Sequence, residues 1–278
     1  PAIADPAEAV ARVREFITRW RDDALVQPMI FSHGVYTCAP DFLAEAYALA
    51  EEHDLLYQLH LSETAAEVRR VRDRYQMSPV ELLDSVGALT SRTLAHHCVV
   101  VSPDDIALIA RRKASISHNA ESNMKLASGI APVPAMLKAG ITIGLGTDGC
   151  ASNNNLDMFG EMDTVAKLHK VHTRRPTVLD AGTVFTMATE SGARALRFDG
   201  GRLEKGRPAD IVVLDGDQPN LVPVYNPISH AVYAASGADV KDVIINGRIV
   251  VKDFRSLTID EDALLKECRT IQKRIARG

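Results

Sequence analysis

The 278-residue chain has no apolar run approaching the roughly 18 residues of a membrane-spanning helix, so no such span is expected. It has no CxxC pair. Its four cysteines, Cys38, Cys98, Cys150 and Cys268, stand far apart and read as reduced thiols rather than a disulfide framework. It shows no secretory signal, and with reduced thiols the expectation is a cytoplasmic protein. It lacks a long basic run, and its formal net charge is −4, which speaks against nucleic-acid binding through phosphate neutralisation. There is no internal repeat and no low-complexity segment. There is no initial methionine either: the chain opens at Pro1 and enters a helix almost at once. The expectation is that an N-terminal portion precedes it, although processing could also remove a start residue.

What is present is an ordinary globular composition, 46% apolar and 24% charged, and a recurring pattern. Five short apolar runs, 28–31, 55–61, 93–101, 113–117 and 141–145, alternate with segments of helical spacing at 39–52, 79–89, 103–112 and 131–139. Apolar strand, helix, apolar strand is the signature of βαβ units in a parallel sheet buried on both faces. A histidine or aspartate ends each run: His33, His60, His97, His118 and Asp148. Their separations of 27, 37, 21 and 30 residues are each about one β-α unit. Residues at equivalent ends of successive parallel strands converge on one mouth, which in a (β/α)8 barrel holds the active site.

After about residue 195 the pattern changes. Gly200 to Gly206 reads as a tight hairpin entry, 209–214 as a strand, and Asn246-Gly247 between two apolar runs as a two-residue hairpin. The stretch 260–277 has helical periodicity. The expected fold class is therefore α/β: the C-terminal part of a metal-dependent (β/α)8 TIM barrel plus part of a small β-sandwich domain. The expected boundaries are 1–198 for the last five barrel units, 199–256 for the β portion and 257–278 for a helix. Five strands cannot close an eight-strand barrel, so about three units are expected upstream.

Each candidate site residue has a plain alternative. His60 in His60-Leu61-Ser62-Glu63 can ligate a metal as a neutral imidazole, with Glu63 beside it as a proton shuttle; the alternative is a polar strand end and a surface glutamate. Asp148, between glycines after an apolar strand, can ligate a metal and take a proton from bound water, or it is an ordinary Asp-Gly turn. Of the adjacent His96 and His97, only one can face the mouth, because side chains alternate along a strand. Both could instead be buried packing groups. The stretch after His118, with Asn119, Ser122, Asn123 and Lys125, reads as a long polar loop, as much structural as substrate-binding. His33 with Tyr36 could bind and stack on a ligand or simply sit at a barrel rim. His53, His169, His172 and His230 read as structural or solvated.

Together the strings Ser32-His33-Gly34-Val35-Tyr36-Thr37-Cys38, His60-Leu61-Ser62-Glu63-Thr64, His97-Cys98-Val99, Ser117-His118-Asn119, Ser122-Asn123-Met124-Lys125-Leu126, Gly129-Ile130-Ala131-Pro132-Val133, Gly146-Thr147-Asp148-Gly149 and 209–215 resemble the amidohydrolase superfamily. The likeness is greatest to the branch of 5-methylthioadenosine/S-adenosylhomocysteine deaminases and triazine chlorohydrolases, and runs from about residue 28 to about 253. The resemblance implies His60 and Asp148 as metal ligands for one Zn2+ (or Fe2+) per complete site. It implies Glu63, His97 and Asp148 as the catalytic groups, with His33, Glu63 and Asp148 contacting substrate. His97 would hydrogen-bond the water on the metal or the tetrahedral intermediate. The implied reaction is hydrolytic deamination of an adenosine-derived nucleoside to the inosine analogue plus ammonia, by a homo-oligomer acting on a small molecule, with no nucleic-acid or membrane partner. The alternatives are a chlorohydrolase or aminohydrolase of a triazine, guanine or another heterocycle, or a non-catalytic relative. The sequence departs from the family at Val35 and Ala120, where proline is usual. It also lacks the His-x-His metal pair of the family's first strand. With two ligands only, residues 1–278 are expected to bind metal weakly or not at all.

Overall fold

The computed structural model describes residues 6–276. Helix α1 (Pro6–Trp20) leads to strand β1 (Ile30–Gly34), helix α2 (Pro40–Glu52) and strand β2 (Tyr57–Leu61). Helices α3 (Ala65–Tyr75) and α4 (Pro79–Ser85) precede β3 (Thr93–His97), and α5 (Pro103–Arg112) precedes β4 (Ser115–His118). Helices α6 (Ala120–Lys125) and α7 (Val133–Lys138) separate β4 from β5 (Ile143–Leu145), and α8 (Met158–Thr173), α9 (Ala181–Ala188) and α10 (Glu190–Ala195) follow. Each apolar run thus yields a strand. Strands β1 to β5 form one parallel sheet in chain order.

The register explains what the sheet buries. Ser32, Leu59, Ala95, Ile116 and Ile143 align across all five strands, and all are buried. All but Ser32 join Leu43 and Leu49 of α2, Leu83 of α4 and Ile109 of α5 in one apolar core. Each buried leucine or isoleucine contributes about 1.5–3 kcal/mol. On the opposite face Phe31 is exposed, and Gln58, His60 and His96 are half-buried. The expectation of burial on both faces therefore holds for one face. Helices α2, α4 and α5 lie on the side of Leu59 and Ile116. On the side of Phe31 and His60, α10 approaches at Gly144, and Leu94 of β3 is buried in a small cluster with Leu56 and Ala195.

Local signals fix the helix ends. Ser78 and Ser102 each make a reciprocal capping box, with Glu81 and Asp105 respectively, and the Ser78 hydroxyl also donates to Asp105 at 2.5 Å, tying α4 to α5. Lys113 ends α5 in a left-handed conformation. At Gly144 a β-carbon would meet the Gly192 Cα at 2.9 Å, so only glycine lets α10 approach β5 this closely. The stretch after His118, expected as a polar loop, begins with helix α6.

The chain continues with β6 (Ile211–Leu214), α11 (Pro227–Tyr233), β7 (Val240–Ile245), β8 (Arg248–Lys252), β9 (Arg255–Ser256) and α12 (Glu261–Ile275). Strands β6 to β9 form an antiparallel sheet in chain order. Asn246 and Gly247, at φ 47° and 75°, make the expected two-residue turn between β7 and β8. The stretch 200–206 contains turns but no strand, so the hairpin entry expected there does not form. None of the residues of α12 is buried. Among the described residues, no helix is long and apolar enough to cross a membrane.

Candidate active site

Three strands of the parallel sheet end in left-handed backbone at non-glycine residues. Ser62, just past β2, has φ 51°; His97 and Cys98, at the end of β3, have 72° and 46°; Asp148, past β5, has 63°. Such conformations cost of order 1–3 kcal/mol each and persist only where the surroundings impose them. Here they bend the chain sharply at one end of the sheet. The turn at His97 takes its ring out of the strand's ordinary alternation and toward the residues that follow β2 and β5.

The His97 side chain is 1% exposed. Its Nδ1 donates to the Asn123 Oδ1 at 2.8 Å, which leaves Nε2 directed at two carboxylates: Glu63 Oε2 at 3.9 Å and Asp148 Oδ2 at 4.0 Å. The Ser128 hydroxyl donates to Glu63 Oε1 at 3.1 Å. The Ser122 hydroxyl donates to Asp148 Oδ2 at 2.7 Å, and the Gly149 amide donates to Oδ1 at 2.6 Å. Burial works to raise the Asp148 pKa. The Ser122 and Gly149 hydrogen bonds, with His97 and His60 nearby, outweigh it and hold the carboxyl below its ordinary range. Asp148 is thus an ionised carboxylate at neutral pH.

The His60 ring stacks on that of His97, with centroids 5.5 Å apart. His60 Nδ1 donates to the His33 carbonyl oxygen at 2.7 Å. A carbonyl can only accept, so Nδ1 carries a proton and Nε2 is the nitrogen left for a metal. His33 itself is held by Thr37, whose Oγ1 lies 2.8 Å from Nδ1, and its ring lies edge-on to Tyr36 at 5.6 Å. His96 takes another path. It bonds Gln58 at 3.1 Å, and burial, with His60 and His97 beside it, pushes its pKa down to about 4.

His118 corrects an expectation. It ends β4, but its side chain does not join the others. It aligns with the core-facing residues, and its Nε2 lies 3.2 Å from that of His169 on α8. Burial pushes His118 down to about 3 and His169 to about 4, so both are neutral packing groups. What β4 gives the site comes one turn later, as Ser122 and Asn123 of α6. Those two were weighed as loop residues; their buried side chains supply the hydrogen bonds to Asp148 and His97. Ser128 and the buried Glu67 and Glu161 were missed. The available signal was an acid at a helix start or on an apolar helix face.

His60, with a free imidazole nitrogen, and Asp148, with an ionised carboxylate, suit a divalent ion as donors. Among the described residues no group of three or more histidine, cysteine or acidic side chains is placed to hold one.

One end of the parallel sheet thus brings His60, Glu63, His97 and Asp148 together. Residues 3–250 match the family model described as the Amidohydrolase family, and the chain belongs to that family. It is 49% identical over 273 residues to a 5-methylthioadenosine/S-adenosylhomocysteine deaminase of Syntrophobacter fumaroxidans, covering 97% of this chain and 62% of that relative. Among solved structures it is similar to an adenosine deaminase from Xanthomonas campestris with bound zinc: TM-score 0.95, 37% identity, 98% of this chain and 62% of that one. It also resembles the zinc complex of atrazine chlorohydrolase TrzN from Arthrobacter aurescens, with TM-score 0.88 and 25% identity over 96% of this chain and 60% of that one. The chain therefore spans about 62% of the length of these deaminase relatives. The resemblance read from the motifs holds for the family and for this branch.

Proposed function

We propose that this chain carries the Glu63–His97–Asp148 portion of the active site of a hydrolytic deaminase acting on adenosine-derived nucleosides such as 5-methylthioadenosine and S-adenosylhomocysteine. The observation that carries the reading is His97 Nε2 facing a carboxylate from each of two turns, Glu63 after β2 at 3.9 Å and Asp148 after β5 at 4.0 Å. The 49% identity to a relative of that name supports the choice of substrate class.

In this reading residues 1–198 form the last five units of a (β/α)8 barrel, 199–256 part of a small β-sandwich domain, and 257–278 a terminal helix. The sheet face of Phe31, Gln58 and His60 is then the barrel interior, closed near Gly144 by α10. His60 and Asp148 are two ligands of a divalent ion, with zinc favoured by the zinc-bound similar structures. Such an ion, when bound, would lower the pKa of a water towards neutrality. Asp148, ionised and fixed by Ser122, accepts the proton of the attacking water. Glu63, oriented by Ser128, delivers a proton to the ring nitrogen beside C6 of the purine. His97, with its proton on Nδ1, accepts a hydrogen bond through Nε2 from the hydroxyl added at C6. The proton taken by Asp148 passes to the amino group, which departs as ammonia, and the C6 hydroxyl returns a proton to Glu63 as it becomes the carbonyl of the inosine analogue, so water is consumed and ammonia released one for one. His33 and Tyr36, at the rim, hold the ribose side.

The test is ammonia release by the full-length protein from 5-methylthioadenosine, S-adenosylhomocysteine and adenosine. Turnover of these nucleosides is the expected result. Chloride release from a triazine, or deamination of guanine with no nucleoside turnover, would reassign the substrate.

A further inference from the structure

We propose that Glu67 and Glu161 are positioning residues, each gripping two consecutive backbone amides so as to set Glu63 and helix α6 against His97 and Asp148. The two sites are built alike. Glu67, 4% exposed in the first turn of α3, accepts from the Ser62 amide through Oε1 at 2.9 Å and from the Glu63 amide through Oε2 at 2.7 Å. Glu161, fully buried on α8, accepts from the Ala120 amide and, at 3.4 Å, from the Glu121 amide. Neither has a basic partner: the groups that act on their titration are burial, backbone amides and a neighbouring acid, Glu63 for one and Glu121 for the other. Burial raises Glu67 to about 7 and Glu161 to about 8. Ordinary helix capping does not call for so costly a placement of two carboxyls.

What each carboxyl holds is a piece of the site. Ser62 sits in the left-handed region, where the chain needs an outside constraint to stay. Glu67 provides it on both sides of the Ser62–Glu63 peptide, and this fixes the direction in which Glu63 leaves the backbone. Helix α6 has only six residues, and its N-cap Asn119 makes no capping bond; the Asn119 Oδ1 instead accepts the Ser117 hydroxyl. So short a helix does not stand alone. Glu161 supplies the missing cap from α8, about forty residues away in the chain. Helix α6 in turn presents Ser122 to Asp148 and Asn123 to His97. Neither glutamate is placed to touch substrate. Each acts through a neighbour.

This inference rests on the deaminase reading only for its kinetic arm. In the full-length protein, Glu161→Gln keeps the size of the side chain and one acceptor oxygen but turns the other into an amide N–H facing the Glu121 amide. The expected result is a fall in kcat of about 10²-fold, as for a small misplacement of catalytic groups, with KM within about twofold. With histidine-labelled protein, the His97 Nδ1–H resonance should also move or broaden. A folded variant with wild-type kcat, or with an unchanged His97 resonance, overturns the Glu161 assignment. Should Glu161→Gln not fold, Asn123→Ala tests the link from its other end, and unchanged kcat there overturns it equally. For Glu67, the double variant Glu67→Gln/Glu63→Gln should be no slower than Glu63→Gln alone, because Glu67 acts through Glu63. Additive losses overturn that assignment. Absence of ammonia release by the wild type would sink the proposed function and still leave the resonance to judge the Glu161 grip.

Discussion

The parallel sheet and the antiparallel sheet are made from similar residues and treat them differently. In the first, Leu59, Ile116 and Ile143 are fully buried under helices. In the second, Val212 and Val213 of β6, Ile245 of β7 and Ile249 of β8 are all exposed, Val212 at 55%. Helix α12 likewise leaves Leu264, Leu265, Ile271 and Ile275 exposed. Strand-forming sequence is therefore not what distinguishes a core from a surface here. The difference is coverage: β1–β5 alternate with helices that fold back over one face, while β6–β9 are joined by short connections after β7 and have no such layer among the described residues. The candidate site sits in the covered region, where a strained, hydrogen-bonded arrangement has rigid packing behind it.

The largest contrast between the regions is expected in activity. Glu63→Gln in the full-length enzyme should lower turnover by about 10²–10⁴-fold, the range for a general acid–base group, with bound metal retained on elemental analysis. The equivalent loss of a carboxylate on the second sheet, Asp242→Asn, should leave turnover unchanged, and a comparable fall there would break the comparison. Next comes stability. Leu59→Ala should cost about 2–5 kcal/mol in urea unfolding, whereas Val212→Ala should cost under about 1 kcal/mol. Equal costs would show that the second sheet is covered in solution. Gly144→Ala should cost about 1–3 kcal/mol, because its β-carbon has no room against Gly192; a neutral result would mean that α10 stands off from β5.

The smallest effect is a slope. Glu161 and Glu67 release protons near pH 4.5 in the unfolded chain but only near 8 and 7 in the folded one. Between those values the native state holds more protons than the unfolded state, so stability falls as pH rises from about 4.5 towards 8. In melting curves across that window, Glu161→Gln should flatten the fall. Asp242, held below its ordinary range by the Asp253 amide and Lys252, titrates lower, so Asp242→Asn should leave the slope alone. A slope unaltered by Glu161→Gln would place its titration outside this window.

Much of the parallel sheet could be read in the sequence because apolar runs there stop at histidine or aspartate, with segments of helical spacing between them. Helix α5 spans the segment read from spacing alone. Helix α6 could not be read, since Ala120–Lys125 has little apolar content and its cap arrives from Glu161 on α8. Helix α3 was passed over for a similar reason: its Arg-rich stretch has low apolar content, and only Val68, Val71 and the gripping Glu67 are buried. The site residues at strand ends were legible by type but not by direction. His97 and His118 end adjacent strands, yet one turns through a left-handed residue to meet the carboxylates, and the other stays in register and points into the core. Direction depends on register and turn geometry, which composition and spacing do not encode.

The left-handed residues at Ser62, His97 and Asp148 imply a conflict between durability and turnover. Glycine would relax each of these positions at no steric cost, and would remove the imidazole at 97 and the carboxylate at 148. A population of variants selected only to survive heating would be expected to drift toward glycine there, gaining stability while discarding the chemistry. Retention of a serine, a histidine and an aspartate where glycine would be less strained would then record selection for what they do rather than for how well the chain holds together.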